Sequence, residues 1–256
     1  MWVIRNRFYG DNSVINLACS RAIFWVLNRR RAHLEKRYQS YNPATATNNK
    51  SVLQLELGEY LNRGIDKLNL GGGNKSLRGF VNIDFQKGAN VARQIIADAL
   101  DLSFVPDQSI SHIHSNHFVE HLNPAQLDDQ LREYYRMLKL GGRISLRAPN
   151  ALGVCYGFFF GPVPETGRDK FLANGYPEDE VFFNKADGWY AGDLYGLYHW
   201  LYAFTGNKLN QHLSQLTPTT LASALRACGF EILCQTAPEA SNLIIVAQKR
   251  RENAAQ

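Results

Sequence analysis

The sequence predicts an α/β protein with a doubly wound, mostly parallel sheet. Short apolar segments of strand length alternate with helical segments along residues 65–150, and this alternation is typical of parallel sheets. Two helices have clear limits: one over 124–140, from a proline to a glycine pair, and one over 218–228, from a proline to Gly229. The seven predicted strands are 67–70, 80–84, 94–98, 109–115, 143–148, 230–236 and 243–248.

Two connections between strands are unusually short. The last two strands are joined through residues 237–240, and this connection is short enough to predict an antiparallel hairpin at the C-terminal edge of the sheet. About nine residues separate the first two strands, whereas a parallel crossover usually needs a dozen or more. We therefore expect the helix of that crossover to be reduced to about one turn.

Composition indicates an ordinary globular protein. Of the 256 residues, 45% are hydrophobic and 20% are charged, and the length suffices for one α/β domain with an appendage. The four cysteines include no C-x-x-C pair, so we expect reduced thiols and a cytoplasmic protein.

Positive charge is concentrated in an N-terminal arm. Residues 1–41 hold eight Lys and Arg against Asp11 and Glu35, which gives +6, so the rest of the chain carries about −1 of the net +5. The apolar part, residues 14–27, is too short to span a bilayer, and no signal-peptide cleavage site follows it.

Three roles are open for residues 14–31. The segment could be a helix packed on the domain. It could also lie on an anionic membrane at the inner face, where each basic residue contributes about 1 kcal/mol. Nucleic-acid binding is disfavoured, because one basic helix with few aromatic residues is a poor signature of it.

A glycine turn, Gly71-Gly72-Gly73, follows the first predicted strand, and Asp84 ends the second. Glycine has no Cβ, so such a turn allows positive φ and close approach of a ligand. An aspartate at the next strand tip can accept hydrogen bonds from both hydroxyls of a ribose. Together they predict a pocket for an adenosine-containing cofactor.

Five blocks of sequence resemble the class I S-adenosyl-L-methionine (SAM)-dependent methyltransferases, and most closely the small methyltransferase-11-type domains. The likeness covers roughly residues 65–150 and 217–249. The blocks are Lys67–Asn74, Gly79–Asp84, Ile96–Leu100, His117–Leu122 and Arg136–Gly142, with a weaker sixth at Leu221–Phe230.

The resemblance implies a Rossmann-like, seven-stranded sheet and a set of SAM contacts. Gly71, Gly72 and Gly73 would pass under the methionine portion and ribose, Asp84 would bind the ribose, and Asp98 would accept from the adenine amino group. The Ala99 amide would face a ring nitrogen, and Ser115 falls at the same edge of the sheet; for Asp98 a helix N-cap is the competing role.

This sequence departs from the family at two positions beside the glycine turn. Asn69 stands where an acidic residue is common, so it offers no negative charge to the cofactor's ammonium group. Lys75 stands where a third glycine is frequent, and we expect its side chain to point outward.

His117, Glu120 and His121 are spaced to share one helical face. The pattern H-x-x-E-H also occurs in inverted zincins, but a zincin would have no use for the glycine turn or Asp84. Some methyltransferases hold a metal with E-x-x-E-H at this position; here His117 replaces the first glutamate, and we expect no metal. The resemblance implies an architectural role, in which Glu120-His121 caps the turn beside the cofactor's sulfonium. His117 and His121 are also the candidate general bases, because an imidazole titrates near neutrality.

An aromatic-rich insertion occupies residues 151–216. It contains 15 of the 30 aromatic residues of the chain in 66 residues, where the family usually places its acceptor lid. Most of these rings are expected to pack on each other, although aromatic faces also bind sugars, lipids and ring substrates. The predicted organisation is an arm and linker over 1–50, a SAM-binding core over 51–150 and 217–256, and the insertion between them.

We therefore predict a SAM-dependent methyltransferase that acts on a hydroxyl or carboxylate of a glycan, lipid-linked or small-molecule acceptor. The alternative is a non-catalytic methyltransferase-like module that serves as a binding scaffold at the membrane surface. A nicotinamide dehydrogenase is disfavoured, because the turn lacks the full G-x-G-x-x-G pattern leading into a long helix.

Overall fold

A computed structural model describes residues 49–161, 163, 166–180, 192, 194, 197, 201–202 and 211–250. The predicted membrane or packing segment, residues 14–31, lies outside them, as does much of the second half of the insertion. Within the described residues, no helix has both the length and the apolar composition that a bilayer crossing requires.

The protein is built on one seven-stranded sheet with the order β3-β2-β1-β4-β5-β7-β6. All neighbours from β3 to β5 pair in parallel, and β7 runs antiparallel to both β5 and β6. The predicted doubly wound sheet with its C-terminal hairpin is therefore confirmed. The strands are β1 Lys67–Leu70, β2 Val81–Asp84, β3 Gln94–Ile96, β4 Ile110–Asn116, β5 Leu138–Pro149, β6 Phe230–Gln235 and β7 Asn242–Lys249.

Five helices are described: α1 Lys50–Asn62, α2 Pro124–Met137, α3 Ala151–Phe160, α4 Arg168–Ala173 and α5 Pro218–Ala227. Both predicted helices begin at their proline, and each is preceded by a capping box. In α2, Asn123 and Gln126 exchange two hydrogen bonds of 3.0 Å, which satisfy donors at the helix start. Leu127, Leu131 and Tyr134 then recur on the buried face of α2, as a core-facing helix requires.

The end of α2 differs from the sequence prediction. The helix ends at Met137, and the chain continues directly into β5 instead of ending at the glycine pair. Leu138 is fully buried and pairs with Ile110, and the register shifts before His112 pairs with Arg143. Gly141, at φ +77°, therefore lies within an irregular strand rather than stopping a helix.

The short connection between β1 and β2 is made of turns alone. Residues 71–80 contain backbone hydrogen bonds from Lys75 to Gly72 (3.0 Å) and from Phe80 to Leu77 (3.2 Å), with no helix. The two strands nevertheless pair in parallel, with Asn69 opposite Asn82. This register places the glycine turn directly beside the end of β2.

The start of the insertion is attached to the sheet by a small apolar cluster. Phe171 of α4 and Tyr176 pack with Ile244 and Val246 of β7, and all four are buried. Burying one such aromatic side chain contributes roughly 1.5–3 kcal/mol. The cluster fixes the segment that continues to Glu180, which reaches the functional site.

Candidate functional site

The buried side-chain amides of Asn69 and Asn82 hold the glycine turn in place. Asn69 donates from Nδ2 to Oδ1 of Asn82 at 3.0 Å, and Asn82 donates from Nδ2 to the Gly73 carbonyl at 3.2 Å. Gly71 and Gly73 have positive φ, 65° and 55°, which favours glycine. A Cβ on Gly72 would overlap both amides, whereas one on Gly73 would meet open space. Asn69 thus holds the turn by hydrogen bonds.

Asp84 connects the same turn to the end of β2. Its Oδ2 accepts from the Gly73 amide at 2.8 Å, and its Oδ1 accepts from the Gln86 amide at 2.9 Å. The residue is buried to 6% exposure. Each carboxylate oxygen can accept a further hydrogen bond, so these contacts orient the group and leave capacity for a ligand.

A cavity of about 250 Å³ lies at the carboxyl ends of the central strands. It sits where strand order reverses between β1 and β4, the usual ligand position in an open α/β sheet. Its lining residues come from the glycine turn, three strands and the insertion. They are Asn69, Gly72, Lys75, Asn116, His117, Arg147 and Glu180.

Gly72 lines this cavity, whereas the other predicted cofactor contacts, Gly71, Gly73, Asp84, Asp98, Ala99 and Ser115, do not. Asp98 is exposed, two residues beyond β3, and its Oδ1 accepts from the Leu100 amide at 2.9 Å. It therefore caps a turn and not a helix. Ala99 is buried, and its carbonyl accepts from Gln130 of α2 at 3.0 Å. Ser115 is fully buried within β4, and its Oγ has no hydrogen-bond partner among the described residues.

His117 and Glu120 form a close pair at the cavity. His117 adopts φ +55°, and its Nδ1 lies 3.0 Å from Oε1 of the buried Glu120. Burial acts to raise the pKa of the Glu120 carboxyl, but the hydrogen bond and charge of His117 outweigh it and the pKa is lowered. An ionised carboxylate only accepts, so Nδ1 of His117 is the donor and Nε2 is left with a lone pair whenever the ring is neutral.

His121 faces a different part of the protein. Its Nδ1 donates to the Gln211 carbonyl at 3.1 Å, and its ring centroid lies 5.2 Å from that of His212. The shared helical face predicted for His117 and His121 does not form, because only Val119–His121 is helical, as a single 3₁₀ turn.

Glu120, His121 and His212 offer ligand atoms within 4.8 Å of one another, which is close enough for a metal ion. Oε1 of Glu120 is already engaged by His117, and His121 is held by the Gln211 carbonyl. Two of these three residues, Glu120 and His121, are therefore already held together with other groups by hydrogen bonds.

Sequence reasoning missed Glu180, which the insertion brings to the cavity. Its Oε2 accepts from Nδ2 of Asn116 at 2.7 Å and from Nζ of Lys75 at 3.1 Å. Lys75, expected to point outward, instead lines the cavity and remains about half exposed. Nothing in the run Pro177–Glu180 distinguishes it from a solvated loop, so no sequence signal could have identified this carboxylate.

A buried polar chain leads from Glu180 into the sheet. Oε1 of Glu180 lies 3.4 Å from Nε2 of His114, whose Nδ1 contacts Oγ of Ser145 at 2.8 Å. Oγ of Ser145 also contacts Nε2 of His112 at 2.9 Å. Burial acts to raise the pKa of Glu180. The hydrogen bonds and charges of His114 and Lys75 have the larger effect, and the pKa is lowered to about 2. Burial lowers the pKa of His114, so the site combines a carboxylate with a neutral imidazole.

One family model matches part of the chain. Residues 79–146 match the Methyltransf_11 family model, described as a methyltransferase domain. No protein of curated function matches the chain in sequence.

Solved structures with similarity to the chain are distant. A Burkholderia thailandensis 1,6-didemethyltoxoflavin-N1-methyltransferase is 13% identical over 79% of this chain and 80% of its own, with a TM-score of 0.42. A SAM-dependent methyltransferase from Archaeoglobus fulgidus is 16% identical over 78% of this chain and 95% of its own, with a TM-score of 0.43. One from Mesorhizobium loti is 14% identical over 71% of this chain and 90% of its own, with a TM-score of 0.41.

The family match covers β2 to the middle of β5, which includes Asp84 and the His117–Glu120 pair. Residues 79–146 therefore match a methyltransferase domain, and they lie within a mostly parallel, Rossmann-like sheet.

Proposed function

We propose that the protein transfers a methyl group from SAM to a hydroxyl or carboxylate of a glycan, lipid-linked or small-molecule acceptor. The observation that carries the proposal is the hydrogen bond of 2.8 Å between the Gly73 amide and Asp84. It joins the glycine turn to the carboxylate at the point where an open α/β sheet binds nucleotides.

The residues at this edge fit SAM. The turn has positive φ at Gly71 and Gly73, and the space over Gly73 is open, so a ligand can approach the backbone. In this proposal Gly71, Gly72 and Gly73 lie under the methionine portion and ribose, and Asp84 binds the ribose hydroxyls. Asp98 and the Ala99 amide bind the adenine, with buried Ser115 supporting the same edge.

When bound, SAM supplies an activated methyl group, so the protein's task is mainly alignment. For a hydroxyl acceptor, Nε2 of His117 takes the hydroxyl proton, while Nδ1–H of the same ring remains hydrogen-bonded to Glu120. The ionised Glu120 stabilises the imidazolium that results. His117 lines the cavity and His121 does not, so His117 is the base that the geometry favours.

Among these acceptors, α3 favours a lipid-linked one. This helix follows β5 directly, and Leu152, Tyr156, Phe159 and Phe160 fall on one face at helical spacing. Their side chains are 40–72% exposed. Contiguous exposed apolar surface is typical of lipid or partner contact. Peripheral attachment to the inner face of the membrane is part of this proposal.

Isothermal titration with SAM and S-adenosylhomocysteine tests the cofactor site. We expect micromolar affinity for the full chain and a loss of at least tenfold in Asp84→Asn, which keeps the shape and removes the charge. Asp101→Asn is the matched control, because Asp101 caps an exposed turn through the Ser103 amide. No heat with the wild-type chain would overturn the proposal.

Methyl transfer from labelled SAM into a cell extract tests the reaction. Label incorporated by the wild-type chain and lost in Asp84→Asn is the expected result. Cofactor binding without any transfer would instead favour the non-catalytic scaffold.

A further inference from the structure

We propose that Glu180, together with Lys75 and Arg147, binds the amino-acid end of SAM, with Glu180 accepting the α-ammonium group. This inference rests on the proposed function and assigns residues that neither the family match nor the turn motif includes. The match ends at residue 146, and Glu180 belongs to the insertion.

Three cavity-lining residues have buried acceptor oxygens without a hydrogen-bond donor among the described residues. They are Oε1 of Glu180, Oδ1 of Asn116 and Oδ1 of Asn69. Leaving a buried acceptor unsatisfied costs about 1–3 kcal/mol, so such oxygens are usually paired with a ligand or water. An ammonium group presents three donors and no acceptor, which complements this set.

Glu180 retains capacity for this contact. Asn116 and Lys75 both donate to Oε2, at 2.7 and 3.1 Å. Among the described residues, Oε1 contacts Nε2 of His114 at 3.4 Å, which is long for a hydrogen bond. A donor placed on Oε1 would therefore satisfy an atom to which no described residue donates at ordinary hydrogen-bond distance.

The charges around the cavity suit a zwitterion. Glu180 supplies the negative charge, while Lys75 and Arg147 line the same cavity with positive charge. An anion alone would leave Oε1 of Glu180 without a donor, and an uncharged nucleoside would use neither sign. An α-amino acid matches both signs at once. The departure from the family pattern at Asn69 is then explained, because Glu180 supplies the carboxylate that Asn69 lacks, and Lys75 is ion-paired with that carboxylate at 3.1 Å.

Glu180 is held in place before any ligand binds. Oδ2 of the neighbouring Asp179 accepts from the Arg78 amide at 2.8 Å, and the Glu180 amide donates to the Pro177 carbonyl at 3.2 Å. Tyr176 anchors the same segment in the apolar cluster with Phe171. Such pre-organisation lowers the entropic cost of binding.

The test compares S-adenosylhomocysteine with its deamino analogue, in which hydrogen replaces the α-amino group. Titration of the wild-type chain should show the analogue binding at least tenfold more weakly, the effect of one lost charge-assisted contact. In Glu180→Gln this ratio should fall below about threefold, because the amide presents no charge to the ammonium group. Glu178→Gln, an exposed neighbour, should keep the wild-type ratio.

The outcomes separate the two proposals. If the wild-type chain binds neither ligand, the cofactor site itself is overturned and this assignment falls with it. If it binds both equally, or if Glu180→Gln keeps the full ratio, only the Glu180 assignment is overturned. The wild-type comparison needs no substitution, so equal binding of the two ligands overturns the assignment even where Glu180→Gln fails to fold.

Discussion

The side-chain amide of Asn69 is hydrogen-bonded to that of Asn82 at 3.0 Å, and Gly72 lies directly against this pair. The two asparagines are opposite each other in the β1–β2 register, and both are buried. The pair therefore fixes the height of the glycine turn above the sheet. It also explains why the middle position of the turn has no room for a side chain.

Gly72→Ala should destabilise the fold and weaken the cofactor site together. The added Cβ would overlap Oδ1 of Asn82 and Nδ2 of Asn69, so the buried amide pair must separate. We expect a loss of about 1–3 kcal/mol in the free energy of unfolding by urea, and at least tenfold weaker binding of S-adenosylhomocysteine.

Gly58→Ala is the matched control. Gly58 lies inside α1, and a Cβ there meets nothing within 4 Å. This change should leave stability unchanged or raise it by up to about 1 kcal/mol, because alanine favours a helix. A Gly72→Ala chain as stable as Gly58→Ala would show that the amide pair does not set the turn.

Much of the sheet could be predicted from sequence, because its strands are short apolar runs between turn signals. The bounds of β1 agree with the prediction, whereas β5 begins five residues earlier than predicted. Pairing of Leu138 with Ile110 drives that difference, and it is a tertiary contact that no local pattern shows. Helix α1 was not predicted, because only Leu53 and Leu57 mark its buried face.

Some residues of the candidate site could likewise be predicted from sequence, and others could not. Gly71–Gly73 and Asp84 are adjacent because parallel pairing of two neighbouring strands brings them together, so sequence order was enough to predict them. Glu180 reaches the cavity only through the packing of Phe171 and Tyr176 on β7. A contact over 105 residues, from Glu180 to Lys75, has no counterpart in local pattern.

Acid should destabilise the protein partly through His112. Burial, with the charges of His114, Lys67 and Arg143, lowers the pKa of this imidazole to about 3. The unfolded chain takes up a proton there below about pH 6.5 and the folded protein does not. The contribution to stability is therefore full above pH 6.5 and is lost as the pH falls from 6.5 towards 3.

Urea unfolding of wild type and His112→Gln at pH 7.5 and pH 5.0 measures this effect. Between the two values the wild-type chain should lose about 2 kcal/mol more than His112→Gln, which follows from the lowered pKa. Titrating groups far from His112 cancel in the difference. Equal losses would mean that His112 is protonated in the folded protein.

His117→Gln should separate catalysis from cofactor binding. The glutamine can keep a contact with Glu120 but cannot take a proton, so for a hydroxyl acceptor the turnover number should fall by about 10²–10⁴-fold. The Kd for S-adenosylhomocysteine should change less than about threefold. Labelled transfer and titration provide the two readings, and a variant with wild-type turnover would remove His117 as the base.

The exposed apolar face of α3 predicts that the protein binds lipid vesicles. Phe159→Ser/Phe160→Ser removes its two most exposed rings, so the free energy of unfolding should change by less than about 0.5 kcal/mol per position. Flotation with vesicles of phosphatidylglycerol and phosphatidylethanolamine should nevertheless decrease, because burial of each ring in lipid contributes roughly 1.5–3 kcal/mol. Val52→Ser/Leu55→Ser, at 46% and 73% exposure on α1, removes apolar surface elsewhere and should float like wild type.

A chain lacking residues 1–40 should bind S-adenosylhomocysteine unchanged. If its flotation is lost while the α3 variant floats normally, membrane contact belongs to the basic arm and not to α3.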